Sequence, residues 1–223
     1  MRHGCSVGSC PLPGDAPGVT SWPDGRAFPA PMPACSLPWT PKSFGGYRVF
    51  TGERVTSGGG ARHILGEEAL RALAVLEQAD HSGRGGQTLR REAIARASAF
   101  MVQRLIQHEG RPRGKGTGFY CCRRCSVALW RTLAVGGLDR AEERLSSGVC
   151  GLRQHRDGLG AWRGFPFAYT LSALHEIHTD EAEAELRYAR SAIERRLSRA
   201  HRPGDTYAAR RFALAHQVLA RLG

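Results

Sequence analysis

Lysine, aromatic residues and long apolar runs are all scarce in this chain. Lys42 and Lys115 are the two lysines among 32 basic residues, so arginine carries nearly all the positive charge, a skew that fits a GC-rich gene. No apolar stretch reaches the ~20 residues that a membrane helix needs. Pro11, Pro13, Asp15 and Pro17 break the N-terminus where a secretory signal carries an apolar core of roughly 7–15 residues, so a cytoplasmic location is expected. Seven cysteines is an odd number, in a chain long enough to build a core without disulfides, and reduced thiols are expected. An alternating apolar pattern is missing after residue 61, which argues against a sheet there.

What is present divides the 223 residues in two. Residues 1–60 hold nine of the twelve prolines and eleven glycines, without helical or alternating period. Such a segment buries too little apolar surface to offset ordering entropy of ~1–2 kcal/mol per residue, and it reads as a flexible tail. Cys5, Cys10 and Cys35 within it have no zinc-knuckle spacing. The tail also suits an upstream translation artefact, with the functional chain starting near Val55.

Residues 61–223 are rich in arginine, alanine and leucine at helical spacing. Leu65, Ala69, Leu73 and Leu76 predict one stripe, and Ile94, Ala97, Met101 and Leu105 the next. A third helix is expected over Tyr120–Val135 and a fourth from a capping box at Asp139 and Glu142. A fifth spans about Pro166–Ile177, and a sixth starts at Asp180. The seventh is striped by Ala208, Phe212, Ala215, Leu219 and Leu222. Seven helices predict an all-α domain. His108-Glu109-Gly110, His155–Gly158 and His201–Gly204 follow one another at separations of 47 and 46 residues, and Gly118-Phe119 stands 46 before Gly164-Phe165. That period suits stacked α/α hairpins, a partial toroid or solenoid.

The stretch Gly151-Leu-Arg-Gln-His-Arg-Asp-Gly-Leu-Gly-Ala-Trp162-Arg-Gly-Phe-Pro-Phe-Ala-Tyr-Thr-Leu-Ser-Ala-Leu174 ends one helix, delivers a tryptophan on a glycine loop and opens an apolar helix. It resembles the repeat of the α/α toroids, the squalene–hopene type terpene cyclases and the protein prenyltransferase β subunits. The resemblance implies a prenyltransferase-like fold over roughly 160 residues. It does not bring those enzymes' chemistry with it. The cyclases' Asp-x-Asp-Asp acid is absent here. Cys125–Trp130 is loosely similar to the prenyltransferase cysteine helix, but Arg123 and Arg124 stand where its aspartate is expected. Phe165–Leu174 lacks the zinc-binding histidine.

Three groups of residues are candidates for function. Phe119, Tyr120, Trp130, Trp162, Phe165, Phe167 and Tyr169 could line a cleft for a small apolar ligand, or form a plain core. Arg111, Arg113, Lys115, Arg123 and Arg124 surround a helix start and suit an anion. Cys121 and Cys125, at i and i+4, could hold zinc with His155, Asp157 or Cys150, could give a reactive thiol, or could simply pack. His175 and His178 are expected to cap a helix C-terminus as imidazolium. Glu181, Glu183 and Glu185 read as a solvated face. With 27 basic and 17 acidic residues after position 60, a nucleic-acid partner is also admissible. The leading expectation is a non-catalytic ligand- or protein-binding domain. The alternatives are a prenyl or terpenoid enzyme, with an aromatic cleft and a metal at the cysteines, and a basic nucleic-acid-binding module.

Overall fold

The computed structural model describes residues 45–79, 87–110, 116–198 and 205–223. All belong to the unit spanning Thr40–Gly223. Cys5, Cys10, Cys35, Arg111, Arg113, Lys115 and the landmark His201–Gly204 lie outside the described residues.

Seven helices are described, in agreement with the all-α expectation: α1 (Gly58–Ala79), α2 (Gln87–Glu109), α3 (Arg123–Val135), α4 (Ala141–Arg153), α5 (Phe167–Glu176), α6 (Asp180–Leu197) and α7 (Thr206–Arg221). A short antiparallel hairpin, β1 (Tyr47–Arg48) with β2 (Arg54–Val55), precedes them. Val49 and Val55 are buried in the common core, so the folded body reaches back past residue 61. Two-residue strands are too short to show a period, which is why composition alone assigned 45–60 to the tail. The hairpin turn fits only glycine at Gly52, whose φ is +95° and whose Cβ would lie 2.6 Å from Tyr207 Cβ on α7.

The helices pair in a regular way. Helix α1 packs on α3, α3 on α5 and α5 on α7, while α2 lies against α1, α4 against α3 and α6 against α5. Helices α3 and α5 sit at the centre, with Cys125–Leu133 and Ala168–Leu174 buried without interruption. A helix buried on every side is a core helix, and over these stretches neither shows a solvated face. Arg131 on α3 ties three helices together: it pairs with Glu68 on α1 and, at 2.9 Å, with Glu176 on α5, while Tyr169 donates to Glu68 at 3.0 Å.

Several helix details differ from expectation. The buried face of α1 is Ala61, Ile64, Glu67 and Leu70, one position away from the expected stripe, and Ala69 and Leu76 are exposed. On α7 the buried residues are Leu214, Ala215 and Val218, and Phe212 is exposed. The Asp139–Glu142 capping box does not form. Arg140 occupies the N-cap of α4 in the left-handed region (φ 51°) without a side-chain cap and pairs instead with Glu143. Pro166 is the N-cap of α5 rather than a first-turn residue. Burial, followed by the Arg221 charge, pushes the His175 pKa down, against the cationic cap expected of it. The α5 terminus is closed from α7, where Arg221 donates to the carbonyls of His175 (2.7 Å) and Ile177 (3.1 Å).

Candidate metal centre

Three elements converge beneath the start of α3. Helix α1 contributes His63 and Glu67, four residues apart and therefore on one face. Helix α2 contributes Arg104 and His108 at the same spacing. The third element is Tyr120-Cys121-Cys122-Arg-Arg-Cys125, entering α3. Its local shape is set by Ser126, whose hydroxyl accepts from the Tyr120 N–H (3.0 Å) and donates to the Cys122 carbonyl (2.9 Å). Cys122 is the N-cap, with extended backbone, and its sulfur accepts from the Cys125 N–H at 3.5 Å. A sulfur thus does the work usually done by a serine or aspartate oxygen.

His63 Nδ1 lies 3.0 Å from Cys121 Sγ and 3.9 Å from Cys125 Sγ. These three donor atoms all lie within 4.8 Å of one another. Nitrogen and sulfur ligands on a tetrahedral zinc stand roughly 3.5–3.8 Å apart, so the spacing is close to that of a metal site. Cys122 Sγ is next to them, 3.4 Å from Cys125 Sγ. A His/Cys/Cys cluster that could hold a metal ion is therefore present.

The electrostatics suit a cation. Glu67 is 1% exposed, and neither carboxylate oxygen has a hydrogen-bond partner. Burial pushes its pKa well above the ordinary carboxylate value, and the neighbouring Glu68 and Cys122 add to the rise. A buried acid without a partner is costly in its charged form, and a nearby cation is one way to relieve that cost. Burial also lowers the pKa of His63, with the Arg104 and His108 charges adding to the fall, which favours the neutral imidazole that binds metals. The thiol pKa values are displaced in opposite directions. Hydrogen bonds from Cys121 and Cys125 hold Cys122 low, while those to their neighbours hold Cys121 and Cys125 high. Tyr120 packs against both His63 and His108, with centroids 4.8 Å away in each case, and burial beside Glu67 raises its phenol to about 12.

The expected partners of Cys121 and Cys125 are elsewhere. His155 packs against Phe165 (5.2 Å between centroids). Asp157 organises its own loop, accepting from the N–H groups of Leu159 (2.7 Å) and Ala161 (2.9 Å) and from the Tyr188 hydroxyl (3.0 Å). Cys150 is exposed. Sequence spacing suggested a ligand from the following helix pair, but the third donor comes from α1, 58 residues before Cys121.

The aromatic residues fill the interior instead of lining a cleft. Trp130 stacks on Phe165 at 5.7 Å, and Phe119 meets Trp130 edge-on at 5.8 Å. Trp162 stacks on Phe167 at 5.9 Å and donates its indole N–H to Glu185 at 2.9 Å. Tyr169 is wholly buried. Tyr120 alone of the seven joins the metal cluster. Glu185, expected on a solvated face, is buried and receives Arg153 and Arg156 as well as Trp162. Two cavities of about 160 and 200 Å³, none of whose lining residues is one of these aromatics, are below the ~300–1,000 Å³ usual for a small-molecule site.

Of the expected anion-binding group, Arg123 and Arg124 are described. Both are exposed, and Arg123 lies over the Phe165 ring at 5.8 Å. Among the other arginines, Arg71, Arg90, Arg91, Arg131, Arg140, Arg144, Arg153, Arg156, Arg187 and Arg190 are engaged in ion pairs. Much of the positive charge is thereby neutralised within the fold. Among the described residues no helix is long and apolar enough to cross a membrane.

His63, Glu67, Arg104 and His108 were missed at the level of sequence. The signal that could have found them is the pair of i, i+4 polar spacings, each on a helix that needed its buried face for packing. Compared with protein-family models, curated proteins and solved structures, the chain matches none.

Proposed function

We propose that this chain is a non-catalytic, helical metal-binding domain, toroid-like in its helix pairs, that holds one zinc ion at His63, Cys121 and Cys125. The observation that carries the reading is the convergence of these three donors, from α1 and the start of α3, beside the buried and unpartnered Glu67. Imidazole with thiolate is a donor set suited to zinc. Cys122 and Glu67 are the neighbours from which a fourth ligand can come. The ion would fasten α1 to α3, coupling metal binding to folding, and would compensate the buried Glu67 charge. The internally filled aromatic cluster supports a binding role over a prenyl or terpenoid enzyme.

Metal analysis of the reduced full-length chain, dialysed against zinc and then against buffer, tests the reading. About one zinc per chain is expected, with loss of most of it in His63→Ala and Cys125→Ser. Cobalt substitution should give a thiolate-to-cobalt charge-transfer band that Cys121→Ser weakens. A wild-type chain retaining less than about a tenth of an equivalent of zinc ends the proposal.

A further inference from the structure

We propose that Cys122 and Cys125 form a thiol–disulfide exchange pair in the metal-free chain, taking a small acidic disulfide as substrate. The pair is Cys-Arg-Arg-Cys across the first turn of α3, and its two sulfurs are already 3.4 Å apart. The extended N-cap backbone folds the Cys122 sulfur back over the first turn, where it accepts from the Cys125 N–H, so a disulfide can close with little backbone movement.

The two cysteines are unequally placed. Cys122 sits at the N-cap and is half-buried, whereas Cys125 is fully buried. An incoming disulfide can therefore reach Cys122 but not Cys125, which fixes the order of events. Cys121 is engaged differently, with its sulfur 3.0 Å from His63 Nδ1. The residues between the pair, Arg123 and Arg124, are exposed and cationic, and the helix N-terminus adds partial positive charge. Both favour a disulfide that carries carboxylates.

The exchange balances as follows. The Cys122 sulfur attacks one sulfur of R–S–S–R, forming a mixed disulfide and expelling one thiolate, which takes up the proton that Cys122 lost. The Cys125 sulfur then attacks Cys122 Sγ, closing the Cys122–Cys125 bond and expelling the second thiolate, which receives the Cys125 proton. Two protein thiols are oxidised by two electrons, and one disulfide is reduced to two thiols. Zinc and this disulfide both require Cys125, so they exclude one another. The exchange needs no metal and stands apart from the zinc reading.

The test uses the full chain, reduced, treated with chelator and incubated with oxidised glutathione. Trypsin cuts after Arg123 and Arg124, so a Cys122–Cys125 bond joins two separate peptides. The cross-link is expected in the wild type and in Cys121→Ser, and at least about tenfold less in Cys122→Ser. The Cys122→Ser chain should still fold, because serine is a favoured N-cap. Cys125→Ser should instead accumulate glutathione as a mixed disulfide on Cys122. A cross-link that survives in Cys122→Ser, or the absence of an adduct on Cys122 in Cys125→Ser, overturns the proposal.

Discussion

Glu185 is the sharpest place to test whether the 155–165 loop is structural. Its carboxylate is buried on α6 and accepts from Trp162 Nε1 (2.9 Å), from Arg156 (2.8 and 3.1 Å) and from Arg153 (3.4 Å). Glu185→Ala leaves the buried indole N–H unpaired, which costs about 1–3 kcal/mol. The arginines are worth less. Arg153 is 54% and Arg156 31% exposed, so water takes over much of their interaction and about 1 kcal/mol is assigned to them together. With the void left by the side chain, the total is about 3–4 kcal/mol, or a fall of roughly 6–15 °C in Tm for a domain of this size. Urea unfolding followed by far-ultraviolet circular dichroism gives the number. Trp162→Phe removes the N–H but keeps most of the ring, so in that background Glu185→Ala should cost about 1–2 kcal/mol less. If Glu185→Ala costs under about 1 kcal/mol, or the double-mutant coupling is zero, the loop is not held in this way and the Trp162 ring is available for a ligand.

Two other substitutions probe the frame and the buried acid. At Gly148 an added Cβ would lie 2.2 Å from Trp130 Nε1, whose N–H donates to the Gly118 carbonyl at 2.7 Å. Gly148→Ala should therefore cost about 2–4 kcal/mol from overpacking and the strained hydrogen bond, and an unchanged urea midpoint refutes that contact. Glu67 has a folded pKa above its unfolded value, by burial first and then by Glu68 and Cys122. The stability it contributes is full below the unfolded carboxylate pKa and is lost as pH rises through the folded one. Chelator-treated wild type should thus lose stability as the pH rises above the ordinary carboxylate range, and Glu67→Gln should flatten the decline. Parallel profiles for the two proteins in urea titrations would show that Glu67 is not the source.

Most of the helical order was legible from periodicity. The stripe Ile94, Ala97, Met101 and Leu105 packs as expected, with Leu105 fully buried, and α6 begins at Asp180 behind a Thr179 cap that accepts from the Ala182 N–H. The failures are instructive at α1. Apolar counting put its inner face at Leu65, Ala69, Leu73 and Leu76, because the true inner face spends one of its positions on Glu67 and flanks it with His63. The residues that make the site chemically interesting are those that disguised the helix's orientation. Similarly, Glu185 looked solvated because the arginines and the tryptophan that satisfy it lie 23 to 32 residues away.

The lack of alternating apolar patterns and the helical spacing after residue 61 belong to the sequence alone, and together they determine an all-α domain. Local order also brings Cys122 and Cys125 together, since an N-cap side chain folds back onto the N–H of the third helical residue. Only the tertiary structure decided that His63 and Glu67 meet Cys121 and Cys125. Their approach depends on how α1 lies across α3, which follows from the packing of apolar faces distant in the chain and leaves no trace in local spacing.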